Sequence, residues 1–591
     1  MNRGRFAEKT TPVVPFRLLS YFPAIAVKGG ARRSAIFLSA ALLVLISIAF
    51  SNASPLHAQS QVSHQVAALP TSVQQADAVC AKCHRAVYNS YLRTPKANAS
   101  GLAMANLIPG SYTQPSSGAT YRVEISHGKA WLRYSGSANA SFPEAYSGEH
   151  SLDYFLGSGH LGITYLYSMN GYLLESPAAY YSVTKRYDMK PGLENLKEIA
   201  PAIPVDAACL RCHMSGVQPA DTGTLNHYSG LPFQHGGITC ESCHGDTSVH
   251  LASKGKTSVV DSSKLAPRLR DSVCISCHLE GDVAVEKNGH SALDYKPGED
   301  ISTYLSFFIY NNANPDARGV SEVEQFATSH CKRASGETMS CTSCHDPHFT
   351  PAAEDRVAFY RGKCLACHGS GNFAAIHHSE TPDCTSCHMP RNTAENIPHV
   401  AWTDHRILAH PSAAQPSAPQ FTVMLPIFSS ASTPRDHALA LYASVNDGHT
   451  ENGAQAYAQL SAVFANDKSD VQVLSALGTL ANLKGDTGQA ASLFGSVLAI
   501  EPSNRIAAVN LAVLKARAGN LDEARKLLEP VFDRNQDLPT IATDLAAVAC
   551  KQGDVAAARR ALQSALHYNS GSNDLRIRLD QVSSCAVQSP H

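Results

Sequence analysis

The chain of 591 residues lacks a basic excess, is poor in charge and has little cysteine for its length. Lys plus Arg total 48 against 49 for Asp plus Glu, and the stretch from Met1 to Ala58 holds seven of the bases and one of the acids. The rest carries 41 bases against 48 acids, a formal charge of −7, whereas a nucleic-acid binder is normally basic. Charged residues make up 16% and hydrophobic residues 44%, which excludes wholesale disorder. At ~150 residues per domain the length implies three or four domains. The 17 Cys, about 3%, fall well below the roughly 8–10% of a disulfide scaffold.

A long apolar run is also missing. The uncharged stretch Ala35 to Phe50 has 16 residues, short of the ~18 expected of a membrane-spanning helix. Arg32 and Arg33 precede it and a polar segment follows, the pattern of an export signal over 1–58 with cleavage after Ala58. The alternative is an uncleaved N-terminal anchor that would hold the protein to a membrane. Either reading exports the bulk of the chain, to the periplasm.

What the sequence does have is one pentapeptide seven times. Cys80, Cys83 and His84 form the first C-x-x-C-H; Cys209, Cys212 and His213 the second; Cys240, Cys243 and His244 the third; Cys274, Cys277 and His278 the fourth. Cys341, Cys344 and His345, then Cys364, Cys367 and His368, then Cys384, Cys387 and His388 complete the series. Two intervening residues bring both thiols to one porphyrin edge, and the next residue places an imidazole under the iron, so the motif reads as covalent attachment of c-type haem. Zinc knuckles and redox C-x-x-C pairs place no demand on the following residue, and seven His in seven argues against both. Seven covalent haems c are expected.

Between Cys80 and His410 lie fourteen further His, enough for a second axial imidazole on every iron. His235, His348, His399 and His405 rank first because each lies close in sequence to an attachment site. His160, His330 and the His377/His378 pair come next.

The segments Cys80 to Tyr91, His235 to His244, Cys341 to His348 and Cys384 to Pro390, with His399 and Asp404-His405 beyond, resemble the multihaem cytochrome c family that includes cytochrome c-554-like proteins. The resemblance spans roughly Gln75 to His410. It implies a distal His about a dozen positions after His84, where this chain has Lys96. The first haem is therefore expected to be the one without two imidazoles: Lys96, Met104 or an open site would take the sixth position, unless His127 or His160 swings in.

The long interval between Cys80 and Cys209 contains alternating segments at Thr120 to Ser126 and Lys129 to Ser135, around His127-Gly128. With the hairpin signal Asn170-Gly171 they predict a β-rich insertion at about 110–190. Its Tyr165, Tyr167, Tyr172, Tyr180, Tyr181 and Tyr187 are expected to pack rather than relay electrons. The segment 411–432 begins with Pro-Ser-Ala-Ala-Gln-Pro-Ser-Ala-Pro, a linker composition. Beyond it Leu477, Leu511 and Leu545, Gly485, Gly519 and Gly553, and Phe494, Leu528 and Leu562 each advance by 34. That period resembles tetratricopeptide repeats over 433–585, pairs of antiparallel helices, with Ala456 and Leu460 in a degenerate first unit. Cys550 and Cys585, close to one repeat apart, are expected to form a disulfide.

The fold class expected is mainly α: a cofactor-organised heptahaem cytochrome over 59–410 with a small β-rich insertion, then an α-solenoid. The function expected is electron transfer, with the repeats docking a redox partner protein and no nucleic acid involved. The alternative is a multihaem reductase of a small nitrogen or sulfur oxyanion, which requires an open haem iron. The C-x-x-C-K motif of nitrite-reducing cytochromes is absent from the sequence.

Overall fold

The computed structural model describes residues 69–137, 145–196, 202–311, 318–369, 382–393, 399, 401–408 and 420–587. The leader, residues 411–419 of the expected linker, His377, His378 and His410 lie outside the described residues. Among the described residues no helix is long and apolar enough to cross a membrane.

The first half is less helical than the sequence suggests. A four-stranded meander runs Gly110–Thr113, Thr120–Ser126, Lys129–Gly136 and Tyr146–Ser151, each antiparallel to the next. Alternation sets its inner face: Tyr121, Val123, Ala130 and Leu132 are buried while their neighbours face out. A seven-stranded sheet adds Ser100–Leu102, Tyr154–Leu156, Gly162–Met169, Tyr172–Glu175, Ala178–Tyr181, Arg186–Met189 and Ile203–Pro204. Its hairpin at Asn170-Gly171 has φ of 49° and 86°, the left-handed pair that a type I′ turn requires. Of the six tyrosines, Tyr165, Tyr167, Tyr172, Tyr181 and Tyr187 are buried, and Tyr180 is partly buried against the same core.

Mixed α/β therefore replaces mainly α. The haem-motif segments hold helices no longer than Pro267–His278 and Arg356–His368, while β-branched and aromatic residues between the first two motifs pair into sheets.

From Pro434 the chain is helical. Val471–Leu483, Arg505–Arg517, Pro539–Lys551 and Asn573–Gln581 each begin one repeat period after the last. Between them Thr487–Ile500, Leu521–Arg534 and Val555–Tyr568 run back. Gly485, Gly519 and Gly553 stand at the turn inside each pair with φ of 85°, 85° and 76°, a conformation that admits glycine without strain. Pro434–Asn446 and Gly453–Asn466 form the first unit, and its Ala456 and Leu460 are fully buried. Cys550 and Cys585 are bonded, with Cα atoms 5.3 Å apart.

Part of the expected linker is structural. Gln420–Pro426 forms a strand antiparallel to Leu305–Asn311, which also pairs with Val283–Glu286. Met424 and Phe308 from this sheet join the core of the first repeats. Lys287 pairs with the buried Asp436 at the start of the first repeat helix. The loops between successive repeats then rest on the β-rich region: Asn535 Nδ2 donates to Gly223 O at 3.0 Å, Asn170 Nδ2 to Tyr568 Oη at 3.0 Å, and Ala202 N to Asn569 Oδ1 at 3.1 Å.

Candidate functional site

Short helices and turns carry the attachment motifs to the wall of one cavity of about 2830 Å³. Single-ligand pockets measure about 300–1,000 Å³, so this one matches several large cofactors. Thirteen of the fourteen motif Cys line it, together with six of the seven motif His. Cys209, which is exposed, and His213, which is partly buried and hydrogen-bonded to the Ala99 backbone, are not among the lining residues.

Three motif imidazoles are each faced by a second one. The ring centroids of His84 and His250 are 6.3 Å apart, those of His244 and His348 5.9 Å, and those of His345 and His405 6.2 Å. With metal–imidazole bonds of ~2.0–2.1 Å, and ring centres about 1 Å beyond the nitrogen, two axial imidazoles across one iron sit about 6 Å apart. The outer nitrogens are engaged as ligands require. The Nδ1–H groups of His244, His250 and His405 donate to the carbonyls of Val260, Thr257 and Thr403 at 2.8, 2.7 and 2.8 Å. His388 Nδ1–H does the same to Leu408 at 2.5 Å. Such bonds fix the tautomer and turn the Nε2 lone pair toward the cavity. Burial, with Lys96 and neighbouring imidazoles, pushes His278 down to about 4; burial, with His405 and Lys96, does the same to His345. Both rings stay neutral at physiological pH, the form that ligates. These residues fit haem c in spacing and protonation.

The ranked candidates divide. His348 and His405 face motif imidazoles, and His235, His160 and His330 line the cavity. His399 does not: its Nε2 lies 2.8 Å from Asp188 Oδ2, against Tyr181 of the β-rich region, so a carboxylate holds the nitrogen an iron would need. His250 is not among the ranked residues, and it faces His84 from the helix Ser248–Ala252, which follows the third motif rather than the first. Met104 is 46% exposed and off the cavity wall. Lys96 does line the cavity, but an imidazole already faces His84.

Thiols of different motifs also meet. Cys80 and Cys240, with an Asp77 carboxylate oxygen, lie within 4.8 Å of one another. Cys212 contacts Cys277, Cys274 contacts Cys341, and Cys364 contacts Cys384.

The segment 177–245, which holds the second and third motifs, matches the family described as cytochrome c554 and c-prime. The segment 481–549 matches a tetratricopeptide repeat family. The chain thus joins a cytochrome c554/c-prime family domain to C-terminal tetratricopeptide repeats. Among solved structures, MamA (AMB-1) is 20% identical over 26% of this chain and 79% of its own, with a TM-score of 0.23. A thermophilic TPR protein in Thermus thermophilus is 19% identical over 26% of this chain and 84% of its own, with a TM-score of 0.23. No curated protein matches the chain.

Proposed function

We propose that the protein is a periplasmic multihaem c-type cytochrome that carries electrons on seven covalently bound haems, and that its repeats dock a redox partner protein. The observation that carries this reading is the cavity bordered by the motif thiols, with three motif imidazoles each faced by another. Haem c supplies reversible one-electron chemistry when bound.

The chain's own part is placement. Contacts between thiols bring attachment site one beside three, four beside both two and five, and six beside seven, so neighbours in space are not always neighbours in sequence. Closely spaced sites favour transfer along the protein over storage at isolated centres. The segment 59–410 acts as the cytochrome and 433–585 as the repeat domain. The inter-repeat loops are already engaged by the cytochrome, which leaves the intra-pair turns and the helix faces for a partner.

The leader 1–58 is the export signal, consistent with haem attachment outside the cytoplasm. The enzymatic alternative needs an iron with a free axial position. His213 and His278, which no other imidazole faces among the described residues, are where it would reside.

The intact mass of the mature protein tests the count: seven haems are expected, and five or fewer would overturn the heptahaem reading. The spin state of the oxidised protein separates the two functions, since a carrier is low-spin throughout and a reductase of this kind shows a high-spin iron.

A further inference from the structure

Six of the seven attachment sites are tied in pairs by backbone hydrogen bonds as well as by their thiols. The buried carboxylate of Asp77, just before site one, accepts from Cys240 N of site three at 2.9 Å, beside the Cys80 and Cys240 sulfurs. Arg211 of site two donates to the Ser276 carbonyl inside site four. Arg361, on the helix Arg356–His368 that ends in site six, donates to the Pro382 carbonyl at 3.1 Å just before site seven.

The remaining site, five, meets one member of each pair. Arg270, on the helix Pro267–His278 that carries site four, donates to the Glu337 carbonyl at 3.2 Å shortly before Cys341. His348, three positions after His345, faces His244 of site three with the two rings only 4° from parallel. Three residues of chain span at most about 10 Å, which keeps sites three and five close. His405 faces His345 from a segment that belongs to site seven. There Asp404 N donates to Pro390 O at 2.8 Å, and Leu408 N donates to His388 O at 2.9 Å while the Leu408 carbonyl accepts from His388 Nδ1. The buried Gln325 fixes this segment by accepting from His405 N at 2.8 Å. Two further contacts complete the picture. Tyr360 of the site-six helix reaches His345 Nδ1 at 3.3 Å, and Ser215 beside site two lies 2.8 Å from Ser242 of site three, which closes a loop without adding a neighbour to site five.

We propose that attachment site five, formed by Cys341, Cys344 and His345, is a three-way junction adjacent to sites three, four and seven, so that electrons branch there instead of following one line. This rests on the haem reading above. From the junction one route leads through site three to site one, one through site four to site two, and one through site seven to site six. A linear array has one entrance and one exit, whereas this arrangement lets two partner proteins exchange electrons with a third. Each passage moves one electron: one iron is oxidised as its neighbour is reduced, and no proton or outside reagent is consumed.

Iron-edge anomalous diffraction from crystals of the unmodified holoprotein tests the arrangement directly. The irons of sites three, four and seven should all lie closer to the iron of site five than those of sites one and two do. Any of the three lying farther away overturns the junction. A second test replaces Cys341 and Cys344 with Ala and follows electron redistribution after a radiolytic pulse that reduces one haem per molecule. Intact mass should show the loss of one haem, and exchange of sites six and seven with sites one to four should slow by at least an order of magnitude. Unchanged redistribution overturns the junction, and a variant that loses further haems leaves the decision to the iron positions of the unmodified protein. Fewer than seven irons there, or no haem on Cys341 and Cys344, would instead overturn the haem reading.

Discussion

Gln536 N donates to the hydroxyl of Tyr172 at 3.2 Å, joining a loop between repeats to the β-rich region far earlier in the chain. The neighbouring Asn535–Gly223, Tyr568–Asn170 and Asn569–Ala202 contacts make this an interface rather than a single bond.

A cut between the two halves is therefore not expected to release the repeats. A protease site introduced within 411–419 and cleaved natively should leave both fragments in one size-exclusion peak. Tyr172→Phe combined with Asn535→Ala should weaken that association, since each intramolecular hydrogen bond contributes about 0.5–1.5 kcal/mol. Two separate peaks from the otherwise unmodified protein would show that the interface does not hold.

The same interface contains a buried acid. Asp537 is 2% exposed, and burial pushes its pKa up to about 6 despite the Asn226 amide and the Arg505 and His227 side chains nearby. A pKa raised by folding means that the folded state holds the proton more tightly. The associated stability is fully present below the ordinary carboxyl value of ~3.9 and is lost as pH rises through about 6. Its size is at most about 3 kcal/mol. Asp537→Asn should flatten the difference in denaturant stability between pH 4 and pH 7 relative to the unmodified protein. Parallel pH profiles for the two proteins would contradict this.

Features set by local chemistry are legible in the sequence. The seven motifs, the Asn170-Gly171 turn, the glycines at 485, 519 and 553 and the Cys550–Cys585 bridge each depend on residues a short distance or a fixed period apart. His250 is illegible for the opposite reason: it stands far from His84 along the chain, beyond the whole β-rich region, and only the tertiary approach of the first and third sites brings them together. Proximity in sequence promotes His399, which Asp188 captures instead. The strand Gln420–Pro426 is hidden by the Pro- and Ser-rich residues before it, since its partner Leu305–Asn311 lies far upstream.

Repeat packing gives a sharper test. A Cβ on Gly478 would lie 2.8 Å from the Phe494 ring, whereas the corresponding positions one and two repeats on pair Ala512 with Leu528 and Ala546 with Leu562. Glycine is thus matched to the larger Phe. Gly478→Ala should destabilise the array by about 1–3 kcal/mol through overpacking. Adding Phe494→Leu reproduces the combination used in the later repeats and should recover most of the loss. Denaturation followed by helical circular dichroism measures both, and additive losses in the double variant would refute the match.

The final prediction counts thiols. Fourteen of the seventeen Cys lie in the seven motifs and become thioethers if all seven haems attach, and Cys550 and Cys585 are bonded to each other. That leaves Cys331, in the helix His330–Ser335 on the cavity wall, with no C-x-x-C-H spacing to claim it. Denatured but unreduced protein should take up one thiol label, located at Cys331, and reduction should raise the number to three. Each haem that fails to attach would add two. A broken Cys550–Cys585 bridge also adds two, but at different positions, so peptide mapping of the labels distinguishes the cases. In the native state Cys331 should label more slowly than after denaturation, because the residue is partly buried. Three labels before reduction, at Cys331, Cys550 and Cys585, would remove the bridge while leaving the haem count intact.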